Sequence, residues 1–311
     1  LRRSSAASDV YKRQKQNHPI LVAPMPTPFT KDDKVDLKAI ESNSLKWINT
    51  DLSGFVMGTE NGEETLLSPE EKIDIFKVVS NTLKNKKILI AGVDNPSISG
   101  TLDESEKYAE LGADLIRIRI PRRRNTIDKY FKEVLKNVPK PVLIIHQMSP
   151  GGFDSSMTTE GADPDQIGRF CDNDNVFGYI ASHLVRFEMM TRKYVGKSKQ
   201  FWVPNAMLMP TMSLEGANGG CFMLGNIAPK ICRNIIKLSL EKNFTEAKNL
   251  NDKLVNLDWN ILSRGAAGIK YALDLLGFIG GNPRKPQNNL TELDRKSISE
   301  AIEKSGIKEV E

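Results

Sequence analysis

The residues best suited to chemistry are two histidines and one polar loop bounded by glycines. The loop, Gly58 to Glu63, follows the apolar run Gly54–Met57, which predicts a buried strand. His146 ends another apolar run and His183 follows a third. An imidazole takes up or releases a proton near neutral pH, so His146 is the candidate catalytic acid or base. All three features follow predicted strands, and ligands of parallel α/β folds bind at the carboxyl ends of strands.

The elements that position these residues alternate between strand and helix from Pro19 onward. After the loop, Ser68 is predicted to cap a helix, with Pro69 at its first position and Glu71 completing a capping box. Eight strand–helix units in a chain of this length indicate a closed (β/α)8 TIM barrel, an α/β fold. The predicted strands are Ile20–Ala23, Gly54–Met57, Ile88–Val93, Leu115–Ile120, Val142–His146, Val176–Ile180, Phe201–Val203 and Gly220–Phe222.

The organisation of the chain has three predicted parts. Residues 1–18 are expected to be a disordered or library-derived tail, a basic, Ser-rich transit peptide being the alternative. Residues 19–227 are the predicted barrel core. Residues 228–311 are predicted to hold the last barrel helix and a C-terminal helical appendage. The helices expected there are Ala228–Ser239, Thr245–Leu262, Gly268–Leu276 and Thr291–Lys304.

Charge and composition exclude several classes of protein. The net charge is +5, but residues 1–15 hold five basic residues against Asp9, which leaves about +1 for the remaining chain. A nucleic-acid binder carries its positive charge on a folded face, so this class is not expected. No apolar run approaches the ~18 residues of a membrane span. The three cysteines form no CxxC pair, so we expect a reducing, cytoplasmic location.

Several motifs together resemble one family, the dihydrodipicolinate synthase and N-acetylneuraminate lyase superfamily. Ala23–Phe29 is similar to its first strand and loop, and Gly58–Glu63 to its pyruvate-binding motif with one residue inserted. Gly216–Asn226 resembles its strand-8 region, and Lys270–Pro283 its C-terminal helical segment. The resemblance extends from about Pro19 to Ile307.

The resemblance implies a barrel, commonly tetrameric, that performs lyase or aldolase chemistry on pyruvate or another 2-oxo acid without a cofactor. A lysine on strand 6 forms a Schiff base with the keto carbon in this family, and a tyrosine ending strand 5 relays protons. An arginine after strand 5 binds a carboxylate. By the same resemblance, Thr59 and Asn61 match positions that hold the carboxylate of the 2-oxo acid, and Glu63 is expected to be structural. The expected partners are therefore a small-molecule carboxylate and further copies of the chain, as a homotetramer or homodimer.

The chain departs from that pattern at each position that carries the chemistry. Ile180 lies at the position of the Schiff-base lysine, and His146 at that of the tyrosine. Met148–Gly152 lacks the arginine, and Arg122–Arg124 replaces the tyrosine pair expected after strand 4. Isoleucine cannot form an imine. The predicted protein is therefore a lyase- or aldolase-like family member that binds a 2-oxo acid or related anionic acid by another mechanism.

The candidate site places His146 in the catalytic role. The candidate substrate-binding residues are Thr59, Glu60, Asn61, His183, Asn205, Cys221, Arg119 and Arg122. The arginines have two interpretations, an anion site or a salt-bridged subunit interface. Two other functions stay open, a metal-assisted aldolase that uses His146 and His183, and a barrel that binds or assembles without catalysis.

Overall fold

The computed structural model describes residues 19–147 and 161–311, and in them eight parallel strands close into a barrel. Each strand pairs with the next along the chain, and the last closes on the first through Ile20–Gly219 and Val22–Cys221. The strands are β1 (Ile20–Pro24), β2 (Gly54–Met57), β3 (Ile88–Val93), β4 (Leu115–Arg119), β5 (Val142–Ile145), β6 (Val176–Ile180), β7 (Gln200–Val203) and β8 (Gly219–Cys221).

Helices separate the strands and continue after the barrel has closed. Between strands lie α1 (Leu37–Trp47), α2 (Pro69–Leu83), α3 (Ile98–Glu110), α4 (Ile127–Asn137), α5 (Pro164–Cys171), α6 (Val185–Tyr194) and α7 (Met209–Leu214). After β8 come α8 (Pro229–Leu240), α9 (Phe244–Leu262), α10 (Gly265–Leu275) and α11 (Glu292–Ser305). The predicted TIM barrel with a C-terminal helical appendage is confirmed, with element ends shifted by a few residues. The predicted tail and the Met148–Gly152 segment lie outside the described residues.

Two apolar cores explain why these strands form a barrel. Side chains alternate across a strand, so each strand presents one set to the barrel interior and the other to the helices. The larger cluster fills the space between strands and helices. The interior cluster includes Ile20, Val22, Val56, Ile88, Ile90, Leu115, Leu143, Phe177, Ile180 and Trp202. The filled interior leaves the carboxyl ends of the strands as the open end.

The helix after the strand-2 loop begins as the sequence predicts. The backbone N–H of Glu71 donates to the Ser68 hydroxyl at 3.2 Å, and the Ser68 N–H donates to the Glu71 carboxylate at 2.9 Å. Arg284, from the C-terminal segment, adds a bidentate ion pair to the same carboxylate, at 2.7 and 2.8 Å. The start of α2 is therefore fixed by its own cap and by the C-terminal segment.

A buried ion pair joins the C-terminal segment to the strand-2 loop. The Lys270 ammonium donates to the Glu63 carboxylate, and both side chains are fully buried. The other Glu63 oxygen accepts from the Arg284 N–H at 2.8 Å, and Lys270 also donates to the Asn282 carbonyl at 3.1 Å. Glu63 is thus structural in this fold.

Within the described ranges, no helix is long and apolar enough to cross a membrane.

Loss of one partner from this ion pair should destabilise the protein strongly. Lys270→Met leaves the Glu63 carboxylate buried without its cation, so we expect the free energy of unfolding to fall by about 3–5 kcal/mol. Lys248→Met is the matched control, because Lys248 forms an exposed pair with Asp252 and should cost less than about 1 kcal/mol. Urea unfolding of both variants measures the difference. Equal, small losses would contradict a structural role for the buried pair.

Candidate active site

A cavity of about 630 Å³ opens at the carboxyl ends of the strands. Residues that end or follow β1, β2 and β5–β8 line its wall, and Arg117 of β4 joins them. The C-terminal appendage contributes the remaining side, through Asp258, Leu262, Arg264–Ala266 and Gln287. The site is therefore a barrel mouth that the appendage partly covers.

The structure brings together most of the residues predicted from the sequence. Those that line the cavity are Thr59, Glu60, Asn61, His146, His183, Asn205 and Cys221. Arg119 and Arg122 are not among the lining residues. Arg119 is held in ion pairs with Asp94 and Glu64, and Arg122 is exposed, its carbonyl accepting from the Gly161 N–H at 3.0 Å.

The strand-2 loop is fixed by its own hydrogen bonds. Gly58 and Glu63 both adopt the left-handed conformation, with φ of 71° and 61°. The Thr59 hydroxyl accepts from the Gly62 N–H at 3.2 Å, and Thr27 donates to the Gly62 carbonyl at 2.7 Å. A left-handed conformation is unfavourable for a glutamate, so the buried pair with Lys270 offsets a local cost. The loop is pre-formed.

Asn61 and Glu60 are the loop side chains nearest to solvent. The amide of Asn61 is half-buried and makes no hydrogen bond to any residue within 19–147 or 161–311. Glu60 accepts from the side-chain amide of Gln147, which follows β5. The loops after β2 and β5 are thereby linked, while the Asn61 amide has its donors and acceptor left for a ligand.

His146 is held as a neutral imidazole in the cavity wall. Its side chain is 2% exposed, and its ring lies 5.3 Å from the ring of Phe187. Nε2 accepts from the Ala162 N–H at 3.2 Å, which places the proton of the neutral ring on Nδ1. Burial lowers the pKa of His146 to about 4. The ring is therefore uncharged at neutral pH and can act as a proton acceptor.

The other predicted lining residues are polar groups without charge near pH 7. His183 is exposed at the cavity edge, and partial desolvation lowers its pKa. The Asn205 side chain accepts from the Met207 N–H at 2.8 Å, which fixes its orientation. Burial raises the pKa of the Cys221 thiol to about 12. A thiol with that pKa is not a nucleophile at neutral pH.

Four charged side chains form a network beside the cavity. Arg117 Nη2 donates to Asp94 at 2.9 Å and Arg119 Nη2 to the same oxygen at 2.8 Å. Arg119 also reaches Glu64 at 3.2 Å. Burial, with a contribution from Asp94, raises the pKa of Glu64, although both arginines oppose this shift. Arg117 is the member that lines the cavity.

Asp258 is a lining residue that the sequence analysis missed. It is 3% exposed, and burial raises its pKa to about 7. The sequence signal was a carboxylate on an apolar helical face, because Leu254, Leu257 and Ile261 are the buried residues around it on α9. Its position in the cavity depends on how α9 folds back over the barrel, and helical periodicity does not report this.

A metal centre is not assembled by the described residues. His146 and His183 both line the cavity, as the metal-assisted interpretation requires. No group of three or more His, Cys, Asp or Glu side chains in the described ranges is placed to hold a metal ion. Glu63, a carboxylate of the strand-2 loop, is bound to Lys270.

Comparison with known protein families identifies relatives along nearly the whole chain. The profile of the dihydrodipicolinate synthetase family matches residues 18–305. The 4-hydroxy-tetrahydrodipicolinate synthase of Archaeoglobus fulgidus is 24% identical over 289 residues, covering 91% of this chain and 96% of that protein. The enzyme of the same name from Brachyspira hyodysenteriae is 25% identical, with the same coverage of both chains.

Solved structures share the fold at lower sequence identity. The dihydrodipicolinate synthase of Cyanidioschyzon merolae, solved with lysine bound, superposes with a TM-score of 0.83 at 19% identity, covering 93% of this chain and 98% of that one. A Clostridium difficile protein solved in complex with mannosamine gives a TM-score of 0.81 at 20% identity, covering 92% and 98%. At these identities the likeness shows the fold.

The neutral state of His146 predicts a specific loss of stability in acid. The unfolded chain binds a proton near pH 6.5 and the native state only near pH 4, so stability is complete above pH 6.5 and falls through this window. Between pH 7 and pH 4.5, we expect the wild type to lose on the order of 2 kcal/mol more than His146→Gln. Urea unfolding at both pH values measures this difference.

The comparison of two proteins is needed because other buried groups titrate in the same range. Glu188 and Asp258 both have a pKa raised to about 7 by burial, and their effects on stability have the opposite sign. Both groups are present in the wild type and in His146→Gln, so their effects on stability cancel when the two proteins are compared. Equal pH dependence in the wild type and His146→Gln would show that His146 is not held neutral by the fold.

Proposed function

The chain belongs to the dihydrodipicolinate synthetase family, and from that membership we propose an aldolase-type lyase that binds a 2-oxo acid without a lysine imine. Related anionic acids are included in the proposed ligand class. The observation that carries the proposal is the composition of the cavity wall, in which Ile180 lies where the family resemblance expects the lysine and no described lining residue is a lysine.

The side chain of Ile180 is packed in an apolar environment. Its side chain is 1% exposed and belongs to the apolar cluster inside the barrel. The nearest lysines along the sequence are Lys140 and Lys193, and neither lines the cavity. Imine formation requires a primary amine within reach of the keto carbon. The proposed chemistry therefore relies on polarisation of an intact carbonyl.

The strand-2 loop is the proposed carboxylate site. Its conformation is fixed by the Thr59–Gly62 hydrogen bond and by the Glu63–Lys270 pair before any ligand binds. The Asn61 amide makes no competing hydrogen bond within the described ranges, so it can donate to a carboxylate oxygen without first breaking a contact. Because the loop backbone is already fixed, ligand binding has to order only the Asn61 side chain.

His146 is the proposed acid–base residue. Its ring is uncharged at neutral pH, so it can accept a proton from the bound substrate without first releasing a proton of its own. The Ala162 N–H occupies Nε2 in this structure. In the proposed reaction, a substrate hydrogen takes the place of that N–H at Nε2.

Assembly into a homodimer or homotetramer remains part of the proposal. Large apolar side chains are exposed on α6 and at the end of α7, namely Met189, Met190, Tyr194 and Leu214. A contiguous patch of such side chains would fit a subunit contact.

Ligand-dependent unfolding tests the proposed site. At pyruvate or glyoxylate concentrations a hundredfold above the dissociation constant, we expect stabilisation by about 2.7 kcal/mol, seen as a higher thermal midpoint. Asn61→Ala should remove most of this stabilisation, whereas Asn49→Ala should keep it because Asn49 is exposed and outside the cavity lining. Stabilisation that survives Asn61→Ala would place the ligand elsewhere. No stabilisation by any 2-oxo acid would favour a barrel that binds none.

Borohydride trapping tests the absence of an imine. Pyruvate with borohydride should leave the intact mass of this protein unchanged, because no lysine is among the described residues that line the cavity. A lysine-containing family member, treated in parallel, should gain the mass of the reduced adduct. A matching gain here, mapped to one lysine, would contradict the proposed mechanism.

A further inference from the structure

We propose that Arg117 is a substrate-binding residue whose guanidinium binds the oxygen on C2 of a 2-oxo acid. The carboxylate of the same ligand would lie on the strand-2 loop. This inference rests on the proposed function and deepens it, since it assigns the group that contacts the carbonyl in place of an imine.

Arg117 lies inside the barrel, and its guanidinium lies beside β3 and the strand-2 loop. It belongs to β4, its side chain is 2% exposed, and it lines the cavity together with Ile180. Burial raises the pKa of Cys221, and the charge of Arg117 partly opposes that shift. Cys221 belongs to β8, on the opposite side of the eight-stranded barrel. The positive charge of Arg117 therefore acts across the barrel interior, while the guanidinium itself is part of the cavity lining.

The guanidinium packs against the neighbouring strand. A Cβ atom on Gly92, in β3, would lie 2.1 Å from the Gly58 carbonyl oxygen and 2.5 Å from Arg117 Nη2, so glycine is required there by the backbone and also leaves space that the guanidinium occupies. Nη2 donates to the Gly58 carbonyl at 2.7 Å and to Asp94 at 2.9 Å. Gly58 directly precedes Thr59 in the proposed carboxylate loop. The guanidinium and the carboxylate site are therefore adjacent.

The Arg117 guanidinium has donors that no described residue accepts from. Both hydrogen bonds of Arg117 to described residues come from Nη2, and Nε is buried without a partner among those residues. One side-chain oxygen or nitrogen atom is also buried without a hydrogen-bond partner among the described residues in each of Asp94, Arg119 and Glu64. Buried polar groups without partners are costly and concentrate at functional sites. An oxygen-rich ligand would offset that cost at Arg117.

The closeness of the Arg117 guanidinium to the strand-2 loop indicates the chemistry of the ligand. A 2-oxo acid carries its carboxylate and its C2 oxygen on neighbouring carbons, so one molecule can contact the loop and Arg117 together. A simple carboxylic acid has the first group and lacks the second. A guanidinium at the C2 oxygen also stabilises negative charge on that atom. Arg117 therefore predicts selectivity for acids with an oxygen on C2.

The experiment compares the affinities of pyruvate and propionate by titration calorimetry. The wild type should bind pyruvate about 10- to 100-fold more tightly, the range expected for a hydrogen bond to a charged group. Arg117→Lys should bring this ratio close to one. Asn61→Ala should weaken both acids by a similar factor and keep the ratio. Arg186→Lys, an exposed change on α6 outside the cavity lining, should change neither affinity.

The outcomes separate this inference from the proposed function. Binding of both acids by the wild type with equal affinity overturns the role of Arg117 and leaves the proposed function standing. A folded Arg117→Lys protein that keeps the wild-type ratio of pyruvate to propionate affinity also overturns the role of Arg117 and leaves the proposed function standing. If that variant does not fold, the wild-type ratio still decides. Binding of neither acid to the wild type overturns the proposed function, and this inference with it.

Discussion

The ion pair between Glu63 and Lys270 is the interaction on which the candidate site depends most. Two charges are removed from water here, and each is stable only because the other is present. The pair holds Glu63 in a left-handed conformation at the end of the strand-2 loop and fixes the C-terminal appendage against the same loop. The loop and the appendage form two sides of the cavity, so a single buried contact sets the shape of both.

The electrostatics of the cavity follow from burial. His146 is kept neutral because its pKa is lowered, and Cys221 because its pKa is raised. Burial also moves Asp258 to a pKa of about 7, where it is largely protonated below neutral pH. The Arg117 guanidinium lines the cavity beside the strand-2 loop. An anionic ligand would therefore meet neutral groups at His146 and Cys221 and the guanidinium of Arg117, with the apolar Ile180 also in the wall.

Local rules recovered much of the fold from the sequence. Short apolar runs predicted the strands, and Ser68, Pro69 and Glu71 predicted the start of α2, because both depend on neighbours within a few residues. The carboxyl ends of the strands then placed most candidate residues at one cavity. Arg117 and Arg119 are two residues apart in β4 and share a face of the strand. Both pair with Asp94, but only Arg117 lines the cavity, and this difference is not visible in the strand pattern. Asp258 and the pKa of His146 depend on how distant segments pack, and no local pattern reports this.

The most direct measurement of the central claim is the carbon-13 NMR spectrum of pyruvate labelled at C2 and bound to the protein. The account predicts a bound signal in the ketone region that is perturbed by the protein and lost in Asn61→Ala. A ketone signal that the protein perturbs would show that the acid is bound and that its carbonyl remains intact. A signal in the imine region, or a spectrum unchanged by the protein, would contradict the account.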